Sequence, residues 1–391
     1  MEAVVVGGGI GGLAAAAGLR RRGWSVLVLE QAPGFTEVGA GISLWPNAFR
    51  ALESIGVTDR LGGERLGVAG GLRDWRGRWI VRMDESAAAT EHTSGALVTH
   101  RHELLSVLLD LVPAECRRAG VRVRGVRREG ARAVVEHDGD KGGGELTADL
   151  VVGADGVRSA VRGALWPDAA PPVYSRRTAW RLIMPTPAVL ADAGARLWAE
   201  TWGPGAVFGM FPMPDDRVYC YATGTVAAGG HSPDGELAEV RRRFSDWCDP
   251  IPAVLAAARE EQVLRNDVYY LPHLPTYVNG PVALLGDAAH AMTPNLGQGG
   301  CQALEDAATL ALAVETQPDL ATALRRYDEL RRPRTQALSR KSLMSGNLSH
   351  LSPAPARVAR NLVLRAMPKS VFIASLAQPF GWRPEAGLVT T

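Results

Sequence analysis

The chain has 391 residues, 46% hydrophobic and 21% charged, proportions that suit a globular protein with a sizeable core and exclude a disordered or fibrous one. Its 43 basic and 41 acidic residues leave a net charge of +2, which predicts no nucleic-acid partner by bulk electrostatics. The four cysteines, Cys116, Cys220, Cys248 and Cys301, form no C-x-x-C pair, so no disulfide framework and no metal site is expected, and free thiols in a reducing cytoplasm are the reading.

Residues 3–6 are a short, β-branched apolar run, read as a buried parallel strand. The run is too short, and lacks the preceding basic residues, for a signal peptide, and no stretch of about 18 apolar residues offers a membrane span. Residues 7–12 read as a glycine turn, 13–22 as an alanine-rich helix stopped by Gly23, and 25–29 as a second buried strand ending at Glu30. Together they make a βαβ unit. A helix is predicted over 104–111, after Arg101. Residues 121–126 and 132–136 alternate as antiparallel strands, 138–144 form a polar turn, and 150–152 are another buried strand.

From about Thr178 to Thr225 the chain is rich in Trp, Tyr, Phe and Met, and it alternates as at Arg217-Val218-Tyr219-Cys220-Tyr221. Pro214-Asp215-Asp216 is the hairpin turn before that segment. A second, mainly antiparallel sheet is expected here, with helices over 236–247 and 252–261. Residues 281–285 return to the buried-strand pattern, and helices are predicted over 302–314 and 320–348. The nucleotide-binding unit is therefore discontinuous, with the aromatic-rich sheet inserted. Residues 358–376 mix apolar residues with Arg360, Arg365 and Lys369. Because Pro368 interrupts their period, they are expected to pack on the cofactor domain and not to lie on a membrane.

Gly7-Gly8-Gly9-Ile10-Gly11-Gly12 matches G-x-G-x-x-G at Gly7, Gly9 and Gly12, between a strand and a helix. The turn must be tight, and the backbone must come close to a pyrophosphate held at the helix N-terminus. Glu30, with Gln31 beside it, stands where a carboxylate accepts both ribose hydroxyls of an adenosine, which argues against a 2′-phosphate there. The fingerprint suits the ADP half of FAD or of NAD and does not choose between them.

Three further segments decide. Gly286-Asp287-Ala288-Ala289-His290-Ala291-Met292-Thr293-Pro294, continued by Gly297-Gln298-Gly299-Gly300-Cys301, resembles the class A flavoprotein monooxygenases, the family of salicylate and hydroxybenzoate hydroxylases. Gly153-Ala154-Asp155-Gly156-Val157-Arg158-Ser159 is similar to another signature of that family, and Gly39-Ala40-Gly41-Ile42-Ser43-Leu44-Trp45-Pro46-Asn47 to its segment after the ribose acid.

The resemblance implies an α/β fold: a Rossmann-type FAD-binding domain from residues 1–75, 99–172 and 276–340, a substrate domain of mainly antiparallel sheet from 76–98 and 173–275, and a C-terminal helical segment, 341–391. It implies bound FAD, with NADH or NADPH as a transient co-substrate and oxygen as oxidant. The expected activity is hydroxylation of a small aromatic or polyketide-like substrate through a flavin C4a-hydroperoxide. A flavin-dependent epoxidase or Baeyer–Villiger-like oxygenase, and a flavin-binding redox module without turnover, are the alternatives. Gly7, Gly9, Gly11, Gly12, Glu30 and Gln31 would hold the ADP half, Asp287 the ribityl chain, and Gly297, Gln298, Gly299, Gly300 and Cys301 the flavin pyrimidine edge. Arg101, Ser43 and Val126 match further FAD contacts, and Asp155 matches a residue linked to both FAD and nicotinamide.

No second G-x-G-x-x-G provides a separate nicotinamide domain, and Trp198-Ala199-Glu200-Thr201-Trp202 does not meet the halogenase pattern W-x-W-x-I-P. Urate hydroxylases are similar in motif wording, but Val207 aligns with their substrate-binding arginine, so a less polar substrate is expected. Tyr219 matches a tyrosine of their pocket. Trp180, Tyr219 and Tyr221 are candidate lining residues, Arg181 a candidate anchor for an acidic substrate, and His290 a candidate base without an identifiable orienting partner. The chain is expected to act as a monomer or homodimer.

Overall fold

A computed structural model gives the fold and describes residues 1–35, 41–57, 61, 70–83, 96–139, 142–191 and 198–384. Gly39 and Ala40 of the third motif lie outside the described residues. Strands β1 (Glu2–Val6) and β2 (Ser25–Leu29) carry the two apolar runs and lie parallel, joined by helix α1 (Ile10–Arg20). The helix starts earlier than the sequence pattern predicts, so Gly11 and Gly12 sit in its first turn. Close packing is the reason: a Cβ on Gly12 would stand 1.9 Å from the Gly7 carbonyl oxygen, and one on Gly11 2.7 Å from a Leu285 methyl.

Next come β3 (Gly41–Leu44) and α2 (Pro46–Ser54), the hairpin of β4 (Gly70–Asp74) and β5 (Trp79–Met83), then β6 (Leu97–His100), which pairs with β3, and α3 (Arg101–Asp110). The two-residue β7 (Arg117–Arg118) precedes an antiparallel sheet of β8 (Arg122–Glu129), β9 (Arg132–Asp138) and β10 (Gly144–Ala148). β11 (Leu150–Gly153) returns beside β1 and leads to α4 (Ala160–Leu165). The inserted part holds β12 (Val173–Pro185), α5 (Ala188–Ala191), β13 (Trp198–Trp202), β14 (Ala206–Met213), β15 (Arg217–Gly224), α6 (Glu236–Phe244), α7 (Ile251–Ala257) and β16 (Val263–Tyr270). The chain then runs through β17 (Val278–Asn279), β18 (Val282–Leu284), α8 (Asp287–His290), α9 (Gly299–Thr316), α10 (Leu320–Ser349), α11 (Ala354–Ala366) and α12 (Lys369–Ala377).

The first sheet runs β17-β18-β11-β1-β2-β7 and is parallel except at β17. From β1 the chain crosses to β2 on one side and later fills β11 on the other, so the strand order reverses at β1. The crevice at the carboxyl end of such a strand is where open α/β sheets bind ligands.

The second sheet runs β16-β12-β15-β14-β13-β4-β5. β4 lies within residues 1–75, expected in the FAD unit, yet it pairs in parallel with β13. Its sequence, Gly70-Gly71-Leu72-Arg73-Asp74, has no apolar alternation to announce a strand. Asp215 and Asp216 both adopt positive φ, 58° and 51°, as a tight hairpin between β14 and β15 requires.

One face of this sheet packs Trp180, Leu182, Phe208, Met210 and Cys220 against α6 and α7. The other face, with Arg181, Glu200, Val207, Tyr219 and Tyr221, turns to the first sheet. The tail differs from expectation. α11 and α12 pack on the second sheet, where Phe372, Leu364 and Met367 meet Leu72, Val81, Met83 and Trp202. Phe380 and Trp382, after α12, return to the nucleotide-binding unit: Phe380 stacks on Trp45 at 4.3 Å, and Arg50 donates to the Trp382 carbonyl at 2.7 Å. Among the described residues no helix is long and apolar enough to cross a membrane.

Candidate active site

At the β1 end of the cleft, Gly7 adopts φ +107°, and a Cβ there would stand 2.4 Å from the Ala154 carbonyl oxygen. A Cβ on Gly9 would meet nothing within 4 Å, so the backbone is open on the cleft side. No side chain caps α1, which leaves its first N–H groups for an anion. The Glu30 carboxylate is held by two backbone donors, Gly8 N–H and Ala32 N–H, each at 2.7 Å. Each oxygen keeps a further lone pair for a hydroxyl donor. Glu30 does not line the main cleft itself; it adjoins the cleft through Gly8, next to Gly9, with Gln31 exposed beside it.

At the far end, Gly297 is left-handed (φ +60°), and α9 begins at Gly299 without a side-chain cap. Gly297, Gln298, Gly299 and Gly300 line the same cleft as Gly9, Gly11, Ser43, Arg101 and Asp287. Two uncapped helix N-termini thus face one groove, each favouring negative charge by roughly 0.3–1 kcal/mol per charge. Trp45 Nε1 and Gln298 Nε2 are buried donors with no partner among the described residues. Both side chains border the groove, which therefore fits an acceptor-rich ring. Cys301 lies behind the loop, fully buried, its Sγ 3.5 Å from the Ser43 carbonyl oxygen, and burial pushes the thiol up to about 12.

Two further expected contacts, Val126 and Asp155, also lie off the groove. Val126 is core, on β8 opposite Val135. Asp155 turns its carboxylate onto Ala160 N–H (2.7 Å) and Val161 N–H (3.1 Å), at the start of α4; its neighbours Ala154 and Gly156 line the cleft instead.

His290 has an orienting partner that sequence reasoning missed. Its Nε2 is 2.5 Å from Asp306 Oδ2, which also accepts Gly286 N–H at 2.9 Å. Arg331 donates to Asp306 Oδ1 (2.7 Å) and Glu305 Oε2 (2.6 Å), and Arg334 donates to both Glu305 oxygens. Asn47 and Gln302 donate to Glu305 and to Gln298 Oε1. Burial opposes ionisation of Asp306, but the charges of His290 and Arg331 outweigh it and hold the carboxyl at about 2. This buried network fixes Gly286, and with it Asp287, and the base of α9. His290 is buried with it and does not line the cleft. The sequence carried only a partial signal, two acids within an apolar helix, and not the partners that bury them.

The groove and the face of the second sheet bound one continuous cleft of about 860 Å³, with the sheet as its floor. Tyr219, Tyr221, Arg181 and Val207 line it. Trp180 does not; strand alternation turns it to the α6 face, where its Nε1 donates to Glu236 at 2.6 Å. The parity of β12 is set by its register with β15, which composition does not reveal. Glu200 also lines the cleft and was not anticipated. Its Oε2 accepts the Tyr221 hydroxyl and its Oε1 the Trp202 indole N–H. Burial raises Glu200 above the usual carboxylate range and raises Tyr219 and Tyr221 above the usual phenol range.

Comparison with known proteins adds independent findings. A family model described as "FAD binding domain" matches residues 1–342. The chain is 36% identical over 370 residues to aurachin C monooxygenase/isomerase of Stigmatella aurantiaca, covering 94% of each protein. It is 32% identical over 379 residues to 2-heptyl-3-hydroxy-4(1H)-quinolone synthase of Pseudomonas aeruginosa, covering 95% of each. The crystal structure of Klebsiella pneumoniae HpxO complexed with FAD and uric acid superposes with a TM-score of 0.88 at 28% identity, covering 97% of this chain and 96% of that one.

Proposed function

The chain belongs to the FAD-binding-domain family and is an FAD-dependent monooxygenase that uses NAD(P)H and oxygen; from that premise we propose that it hydroxylates a neutral, lipophilic heteroaromatic compound of the quinolone kind. The observation that carries this reading is the cleft floor. Val207, Leu72, Met83 and Phe211 line it with apolar surface, and Leu364, Met367 and Phe372 of the tail close over it. Such walls exclude water and bind an alkyl-substituted ring. The relative whose name specifies a 2-heptyl-3-hydroxy-4(1H)-quinolone has a product of this chemistry.

In this reading Gly7, Gly9, Gly11, Gly12 and the α1 N-terminus hold the FAD pyrophosphate, Glu30 the adenosine ribose and Asp287 the ribityl chain. The α9 N-terminus, Gln298 and Trp45 hold the pyrimidine edge of the flavin. FAD held by these residues would supply hydride acceptance from the nicotinamide and oxygen activation. The protein's part is to orient the ring between Gly297–Gly300 and the sheet floor and to keep water out. His290 positions the Gly286–Asp287 turn through Asp306, and Asp155 holds the start of α4. The free cysteines suit work in a reducing cytoplasm, where NAD(P)H is supplied.

Glu30→Ala and Asp287→Ala should each weaken FAD affinity by about tenfold or more, through the loss of charge-assisted hydrogen bonds. Flavin fluorescence titration of the apoprotein measures this. A variant that binds FAD with wild-type affinity removes its residue from the assignment.

A further inference from the structure

Glu200 is the element of the cleft floor that FAD binding does not account for. Strand register aligns Arg181 with Tyr221, Tyr221 with Gly209, and Gly209 with Glu200, so the four form one row across β12, β15, β14 and β13. Tyr221 and Glu200 are separated by a strand that carries no side chain at that level. A Cβ on Gly209 would stand 2.2 Å from Tyr221 Cζ, so the tyrosine ring lies flat across β14. From there its hydroxyl reaches Glu200, while Trp202 holds the other oxygen. An indole N–H can only donate, so this pair of contacts is built to hold a carboxylate as acceptor.

No cation pairs with Glu200 among the described residues. Around it stand Tyr221 and Tyr219 from β15, and Arg181 from β12, roughly 14 Å along the row by strand spacing. From α11 comes Arg360, whose guanidinium lies 4.8 Å over the Trp202 ring. A desolvated carboxyl without a cation costs folding stability. Its place on the wall of the cleft, which it shares with Tyr219, Tyr221 and the apolar Leu72, Met83, Val207 and Phe211, gives that cost a use. An anionic substrate would be repelled by it; a neutral ring bearing N–H or O–H would be bound by it.

We propose that Glu200 is the proton acceptor for the substrate: its carboxylate takes the N–H or O–H proton of a neutral heteroaromatic ring, so that the ring is electron-rich when oxygen is delivered. The ring N–H bond breaks, an O–H bond forms on Glu200, and the electron pair stays in the ring, conjugated to the carbon attacked. After that carbon gains a hydroxyl group, the second oxygen atom leaves as water, reduced by the NAD(P)H electrons; the C–H proton passes to water, its electron pair restores the aromatic ring, and Glu200 returns its proton to the nitrogen. This rests on the monooxygenase reading, which supplies the oxidant.

The test uses the FAD-loaded enzyme with 2-heptyl-4(1H)-quinolone and its N-methyl counterpart. Glu200→Gln should lower kcat on the N–H probe by about 10²–10⁴-fold, with a smaller change in KM, and should abolish the acid limb of the pH–rate profile. Glu200→Asp should restore part of the rate, and Glu200→Gln should cause no comparable loss on the N-methyl probe. In flavin difference spectra the wild type should bind the N–H probe about tenfold more tightly than the N-methyl probe, a preference that Glu200→Gln erases. FAD stoichiometry reports whether each variant is folded. Equal binding of the two probes to the wild type, or an unchanged rate and pH profile in Glu200→Gln, overturns the proposal. Intact binding preference without turnover of any probe counts against the oxygenase reading alone.

Discussion

At position 209 the size of one methyl group controls the floor of the cleft. Gly209→Ala places a Cβ where the Tyr221 ring lies and pushes the ring toward the flavin side. FAD retention should be unchanged, because Gly209 itself does not line the cleft that the phosphate and flavin loops border. The share of NAD(P)H that ends as hydrogen peroxide should instead rise about severalfold, since a mis-seated ring is not attacked in time; a peroxide assay run beside product quantification measures it. Unchanged coupling would show that Tyr221 does not shape the pocket. Legibility at this scale followed the chemistry. Gly9, Asp287 and the Gly297–Gly300 loop stood out because phosphate and flavin binding demand particular backbones, and the structure brings them to one groove. Glu200 did not, because a single acid in an alternating strand looks like a solvent-facing residue until the sheet's partner is known.

At the scale of elements, α9 is held by charges that the sequence reading overlooked. Glu305, Asp306 and Arg331 are all but fully buried, and they tie α9 to α10, to α2 through Asn47 and to the turn before Asp287. Removing Arg331 leaves two buried carboxylates with one cationic partner each, Arg334 for Glu305 and His290 for Asp306, so Arg331→Met should destabilise the protein by up to about 3–5 kcal/mol. Urea unfolding with FAD present measures this; a loss below about 1 kcal/mol would mean that the network adds little. Asp306 titrates at about 2 in the fold against an ordinary 3.8. Its contribution is therefore fully present above about pH 4 and lost as pH falls toward about 2. Asp306→Asn should flatten the stability profile across that window, read from urea midpoints. The helix over 302–314 was legible as a helix from its apolar period; its buried acids were not, because their partners lie on other elements far along the chain.

At the scale of the whole molecule, the discontinuous organisation was readable because two kinds of strand alternate along the chain: short wholly apolar runs and longer half-polar ones. The tail was not. α11 is amphipathic without saying which surface it covers, and α12 is apolar with no preferred face; they close over the second sheet while Pro379–Trp382 clamps back beside Trp45. That closure makes one chamber out of two modules, with cofactor loops on one wall and substrate floor on the other. The most direct test is turnover under isotopically heavy oxygen gas with NAD(P)H and a quinolone substrate, followed by product mass and connectivity. The account predicts one heavy oxygen atom on a ring carbon for each NAD(P)H consumed in coupled turnover. FAD-loaded protein whose NAD(P)H oxidation is indifferent to every substrate and yields only hydrogen peroxide would contradict it.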